Sequence, residues 1–110
     1  MVILQGSEDP IVPPNQAHLM ANKLNENDIP HALIEFSDEG HGFRKAPNIT
    51  RAIESELAFF AQIFNFEPFD DLPEILIENN ILIKIKKFAY LYPIATRIKF
   101  MRTKNLLLLM

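Results

Sequence analysis

Apolar and polar positions alternate in a readable order over the first 66 residues. Val2-Ile3-Leu4 is a short apolar run closed by Gly6, the pattern of a buried strand. Pro13-Pro14 can open a helix, because proline's missing N–H costs nothing in a first turn. Ala17, Met20, Ala21 and Leu24 then recur at i, i+3, i+4 and i+7, an amphipathic stripe that Asn27-Asp28-Ile29-Pro30 ends. Ala32-Leu33-Ile34-Glu35-Phe36 predicts a second strand, and Ser37 to Pro47 a loop. A second helix is expected from an N-cap at Asn48, with Ile49, Ala52, Ile53, Leu57, Phe60 and Phe64 facing inward. The order β-α-β-α implies an α/β fold with parallel strands and a crossover helix.

Beyond residue 66 the pattern changes. Ile81, Ile83 and Ile85 alternate with Leu82, Lys84 and Lys86, and Ile94, Thr96, Ile98 and Phe100 alternate likewise, as strands do. Leu72 to Asn80 reads equally well as one or two helical turns. Charge segregates at the same place. Residues 1–66 carry nine acids and four bases, residues 67–78 five acids and no base, and residues 79–110 seven bases and no acid. All three glycines lie in the first 42 residues. Two regions are therefore expected: 1–66, and a tail over 67–110 of a different, non-native character, whose removal should leave the first part folded.

The totals exclude several classes. The chain has 110 residues, 48% apolar, a net charge of −3 and no cysteine. One small domain of ordinary composition is implied, with no disulfide scaffold, thiolate nucleophile or Cys-based metal site. No metal-binding spacing and no cofactor motif is present, so neither a metal nor a cofactor is expected. No apolar run approaches ~18 residues and no signal-peptide layout opens the chain, so a cytoplasmic protein without a membrane span is expected. The basic run Lys84, Lys86, Lys87, Arg97, Lys99, Arg102 and Lys104 reads as a solvated tail rather than a nucleic-acid surface.

Two segments could carry chemistry: Gly6-Ser7-Glu8-Asp9-Pro10-Ile11-Val12-Pro13 and Asp38-Glu39-Gly40-His41-Gly42-Phe43. Each follows a predicted strand and so falls at the carboxyl edge of a parallel sheet, where open α/β sheets place their sites. A carboxylate on one loop and a histidine on the next is the orienting half of a hydrolytic triad. Glycines on both sides of His41 would let the backbone bend to present the ring. Asp-Pro is also a common turn dipeptide and Gly-His-Gly an ordinary loop, so spacing alone leaves both readings open. Asp38 and Glu39 are weaker candidates for the carboxylate, and His18 and His31 read as structural or exposed.

Residues 2–66 resemble the C-terminal end of the catalytic domain of the prolyl oligopeptidase family of serine peptidases, an α/β-hydrolase fold. The similarity runs through Leu4 to Gln16, through Asp38-Glu39-Gly40-His41-Gly42-Phe43-Arg44, and through Asn48 and the helix Glu56-Leu57-Ala58-Phe59-Phe60 with Phe64. It is strongest toward the acylaminoacyl-peptidase-like and dipeptidyl-peptidase-like branch, and weaker toward dienelactone hydrolases. The resemblance implies that Asp9 and His41 are the triad acid and base, and that peptides or acyl-peptides are the substrate class. The chain departs from the family in lacking a G-x-S-x-G elbow: Ser7, Ser37 and Ser55 are its only serines. The oxyanion-hole segment and the family's N-terminal propeller are missing as well. The expectation is a fragment that is inactive alone. The alternatives are a subunit of a split hydrolase, an esterase remnant, or a non-enzymatic interaction module that self-associates or binds a partner chain through uncovered apolar surface.

Overall fold

The structure is a computed structural model and describes residues 1–81. Its elements are β1 (Val2–Gly6), α1 (Pro14–Glu26), β2 (Ala32–Phe36) and α2 (Ala46–Phe64). The two strands pair in parallel, in a register that runs from Val2 opposite Ala32 to Gly6 opposite Phe36. A parallel pair needs a crossover, and α1 supplies it.

The helices lie on opposite faces of this sheet. Ala32 packs with Phe59 and Ile77, and Val2 and Ile63 join that cluster. Three residues further along β2, Glu35 accepts a hydrogen bond from His18 Nε2 of α1 at 2.9 Å. Side chains of a strand alternate between faces, so Ala32 and Glu35 look to opposite sides.

Both helices stop in left-handed backbone without glycine. After α1, Asp28 has φ 54°, and the N–H groups of Ile29 and Asp28 reach back to the carbonyls of Leu24 and Asn25. These two bonds form a Schellman motif. After α2, Asn65 takes φ 54° and the Phe66 N–H reaches the Ala61 carbonyl. Asp and Asn tolerate this conformation better than other side chains, which relieves the need for glycine.

The start and the buried face of α2 differ from the expectation. The helix begins at Ala46, with Lys45 as N-cap and Pro47 in the first turn, so Asn48 lies inside it. Ala52, Ser55, Ala58, Phe59 and Ala61 are its buried residues. Ala52 alone comes from the predicted stripe. Ile49, Ile53, Leu57, Phe60 and Phe64 are exposed, Phe64 to 70%. The most apolar stripe of the helix therefore looks outward, and the inward face is made mostly of small residues.

The compact unit runs from Met1 to Asn80, past the compositional break at residue 66. Residues 72–80 form no helix. His31 and Glu78 exchange backbone hydrogen bonds of 3.1 and 2.8 Å, and Ile77 is 2% exposed within the core. The alternating segments at 82–86 and 94–100 and the basic run from Lys84 lie outside the described residues. Among the described residues no helix is long and apolar enough to cross a membrane.

Candidate active site

Because Gly6 and Phe36 are in register, the loops after β1 and β2 leave the same sheet edge at the same level. Asp9 and His41 sit on these two loops. The loops are joined by the Ser7 N–H to the Phe36 carbonyl at 3.0 Å, the Glu8 N–H to the Glu39 carbonyl at 2.9 Å, and the Asp38 N–H to Ser7 Oγ at 3.1 Å. The loops approach so closely at Gly6 that a Cβ there would run into the carbonyl oxygens of Gly40 and Glu39. Glycine is required at this position for space. Gly40 and Gly42 differ from expectation: neither has a positive φ, and a Cβ on either would meet nothing within 4 Å. The turn that presents His41 does not depend on glycine's extra conformational freedom.

The Asp9 side chain is held at both oxygens. Oδ1 accepts the N–H groups of Ile11 and Val12, each at 2.9 Å, closing an Asx-type turn around Pro10. Oδ2 faces His41 Nδ1 at 3.1 Å. Gln5, buried at the end of β1, donates from Nε2 to the Val12 and Gly6 carbonyls at 2.9 Å and fastens the far side of the loop. Burial pushes the Asp9 carboxyl up, but the N–H groups of Val12 and Ile11, together with His41, outweigh it and hold the group below its ordinary value. An ionised carboxylate can only accept, so Nδ1 carries the proton and donates it to Asp9. The neutral ring then has its lone pair on Nε2. The Asp9 side chain is 7% exposed and that of His41 55%, so a buried carboxylate holds an imidazole open to solvent.

The other candidates have structural places. Glu39 is buried and accepts the N–H groups of Arg44 (2.9 Å) and Lys45 (3.0 Å) and the Asn48 side-chain amide (2.9 Å). Asp38 meets Lys45 Nζ at 3.5 Å. His31 is buried and donates from Nδ1 to the Ile29 carbonyl at 2.8 Å. Phe43 packs on Phe36 with ring centroids 4.7 Å apart, pinning the loop beyond His41. The parts that sequence reasoning passed over are Gln5 and the combined role of Glu39 and Asn48. The signal for Gln5 was an amide at the end of an otherwise apolar strand.

Residues 1–67 match the model of the prolyl oligopeptidase family. The chain belongs to that family. It is similar to a Mycobacterium tuberculosis puromycin-hydrolyzing peptidase, with 42% identity and a TM-score of 0.63 over 70% of this chain and 12% of that one. It is also similar to a puromycin hydrolase, with 38% identity and a TM-score of 0.63 over 69% of this chain and 11% of that one. No match is found among curated proteins. The chain thus spans about an eighth or less of the length of these solved peptidases. A β-α-β-α unit with parallel strands is the piece of the α/β-hydrolase architecture that this family member carries.

Proposed function

We propose that this chain carries the acid and base of a serine-peptidase triad, Asp9 and His41, and that the nucleophilic serine comes from outside its sequence. The observation that carries this reading is the hydrogen bond of 3.1 Å between His41 Nδ1 and an Asp9 carboxylate that Ile11 and Val12 immobilise. In acyl transfer, Nε2 takes the serine proton as the hydroxyl attacks the substrate carbonyl, and later gives it to the leaving amine. Asp9 keeps the tautomer and stabilises the imidazolium formed in between. The names of the similar proteins fit a peptide-type amide as the bond cleaved.

A chimera tests the assignment. Residues 1–67 replace the aligned stretch of the Mycobacterium tuberculosis peptidase, and hydrolysis of a chromogenic peptide anilide is followed. The chimera is expected to be active, and Asp9→Asn to lower kcat by about 10⁴-fold, the order seen when a triad acid is neutralised. His41→Ala should lose at least as much. Chimeric activity that survives His41→Ala sinks the proposal.

A second reading, a subunit of a split hydrolase, is favoured by the outward apolar stripe Ile49, Ile53, Leu57, Phe60 and Phe64 of α2. The same peptidase lacking its aligned stretch would then regain activity on addition of this chain.

A further inference from the structure

Glu39 stands between the two halves of the site. Its backbone carbonyl accepts the Glu8 N–H, next to Asp9. Its carboxylate accepts the N–H groups of Arg44 and Lys45 and the amide of Asn48, at the point where α2 begins. His41 lies on the stretch between these attachments, and its ring is more than half exposed, so packing does little to fix it. No side chain caps the start of α2, and Glu39 provides negative charge and acceptors there instead.

We infer that Glu39 is a positioning residue for His41, holding the Asp9 loop through its backbone carbonyl and the start of α2 through its carboxylate so that Nδ1 stays opposite Asp9. The inference rests on the assignment of Asp9 and His41 as an acid–base pair and extends it by one residue. A glutamine at position 39 keeps the shape but replaces one acceptor oxygen with an amide donor. At least one of the three donors then faces another donor in a buried place. The stretch from Asp38 to Lys45 loosens, and His41 leaves its single placement.

The test is made on the full chain, uniformly labelled with ¹⁵N, by correlation spectra that separate the two imidazole nitrogens at mildly alkaline pH. Wild type should show His41 as a single tautomer protonated at Nδ1. Glu39→Gln should move the two nitrogen signals toward each other, as in an averaging imidazole, while the amide signals of β1 and β2 keep their positions. Asp38→Asn, a change at the exposed neighbouring carboxylate, should leave both nitrogens unmoved. Unshifted nitrogens in a folded Glu39→Gln protein, or an equal shift in Asp38→Asn, would overturn the inference. If Glu39→Gln does not fold, Asn48→Ala decides, since it removes one donor and leaves the carboxylate in place: a smaller shift in the same direction supports the role, and none refutes it. Asp9→Asn separates the two levels. If it fails to disturb the His41 tautomer, the acid–base pairing itself is wrong; if it succeeds where Glu39→Gln does not, the positioning role alone falls.

Discussion

A carboxylate that accepts backbone N–H groups is a link between folding and pH, and the site contains two. For Glu39 the Asn48 amide contributes most, followed by the Arg44 N–H; burial works against them, and the carboxyl is still held below its ordinary value. Asp9 is shifted in the same direction. A group that binds protons less readily folded than unfolded stabilises the fold fully above its unfolded pKa, about 4 for these carboxyls. That stabilisation is lost as pH falls from there through the depressed folded value. Melting temperatures taken from about pH 7 to about pH 3 should fall steeply for wild type at the acid end. Asp9→Asn and Glu39→Gln should start lower at neutral pH, fall less, and approach wild type in acid. Parallel curves would show that neither carboxylate senses folding. Gly6→Ala acts by sterics instead, since the added methyl meets backbone carbonyls that cannot swing aside. Overpacking of this kind typically costs about 1–3 kcal/mol, readable as a lower denaturant midpoint, and Gly40→Ala should cost far less. The strand-like runs put Asp9 and His41 on neighbouring loops, but spacing left an ordinary turn and an acid–base pair both open, and it was the family resemblance that singled the two out. Glu39 was not legible, because its three donors are two backbone groups and an amide nine residues on, which no side-chain motif records.

Among the elements, α2 shows how a helix can be legible while its orientation is not. An apolar period running from Ile49 to Phe64 announced it. The stripe with the largest side chains nevertheless points away from the sheet, and the Ala52, Ser55, Ala58 and Phe59 face packs inward. Small residues let a helix lie close on a sheet, so an inward face can be less apolar than an outward one. The two faces should respond oppositely to substitution. Phe59→Ala removes a buried ring from the cluster with Ala32 and Ile77 and should cost about 3–5 kcal/mol in urea unfolding. Ile53→Lys, on the outward stripe, should change stability by no more than about 0.5 kcal/mol. A large loss at Ile53 would mean that the chain covers this face itself. The helix ends were easier to place at Asn27 and Asp28, where polar residues able to adopt left-handed backbone interrupt the stripe, than at the start. There no side chain caps the helix, and Glu39 instead accepts the N–H groups of Arg44 and Lys45 just ahead of it.

For the whole molecule, the break in composition did not mark the edge of the packed unit. Ile77 lies in the acidic stretch that looked foreign, yet it fills the core beside Ala32, and Glu78 pairs with His31. Charge along a chain reports its solvated side chains, whereas one inward isoleucine decides whether a segment belongs. Ending the chain at residue 66 should therefore lower the melting temperature and loosen the amide spectrum of β2, in contrast to a harmless tail removal. Ile77→Ala empties a core position and should reproduce part of that loss, about 2–5 kcal/mol. Activity is the remaining whole-molecule property, and it turns on the nucleophile. Ser7 Oγ already accepts the Asp38 N–H, and Ser55 is buried in α2. Neither these nor Ser37 lies on a glycine-flanked elbow, and no cysteine is present to substitute. On the proposed assignment His41 is a general base whose serine lies outside this sequence, and a base without its nucleophile performs no acyl transfer. The purified chain should take up no fluorophosphonate probe, and should hydrolyse p-nitrophenyl acetate no faster than its Asp9→Ala, His41→Ala double variant. Stoichiometric labelling of any one of the three serines would show that this chain holds its own nucleophile, and the need for an outside serine would disappear.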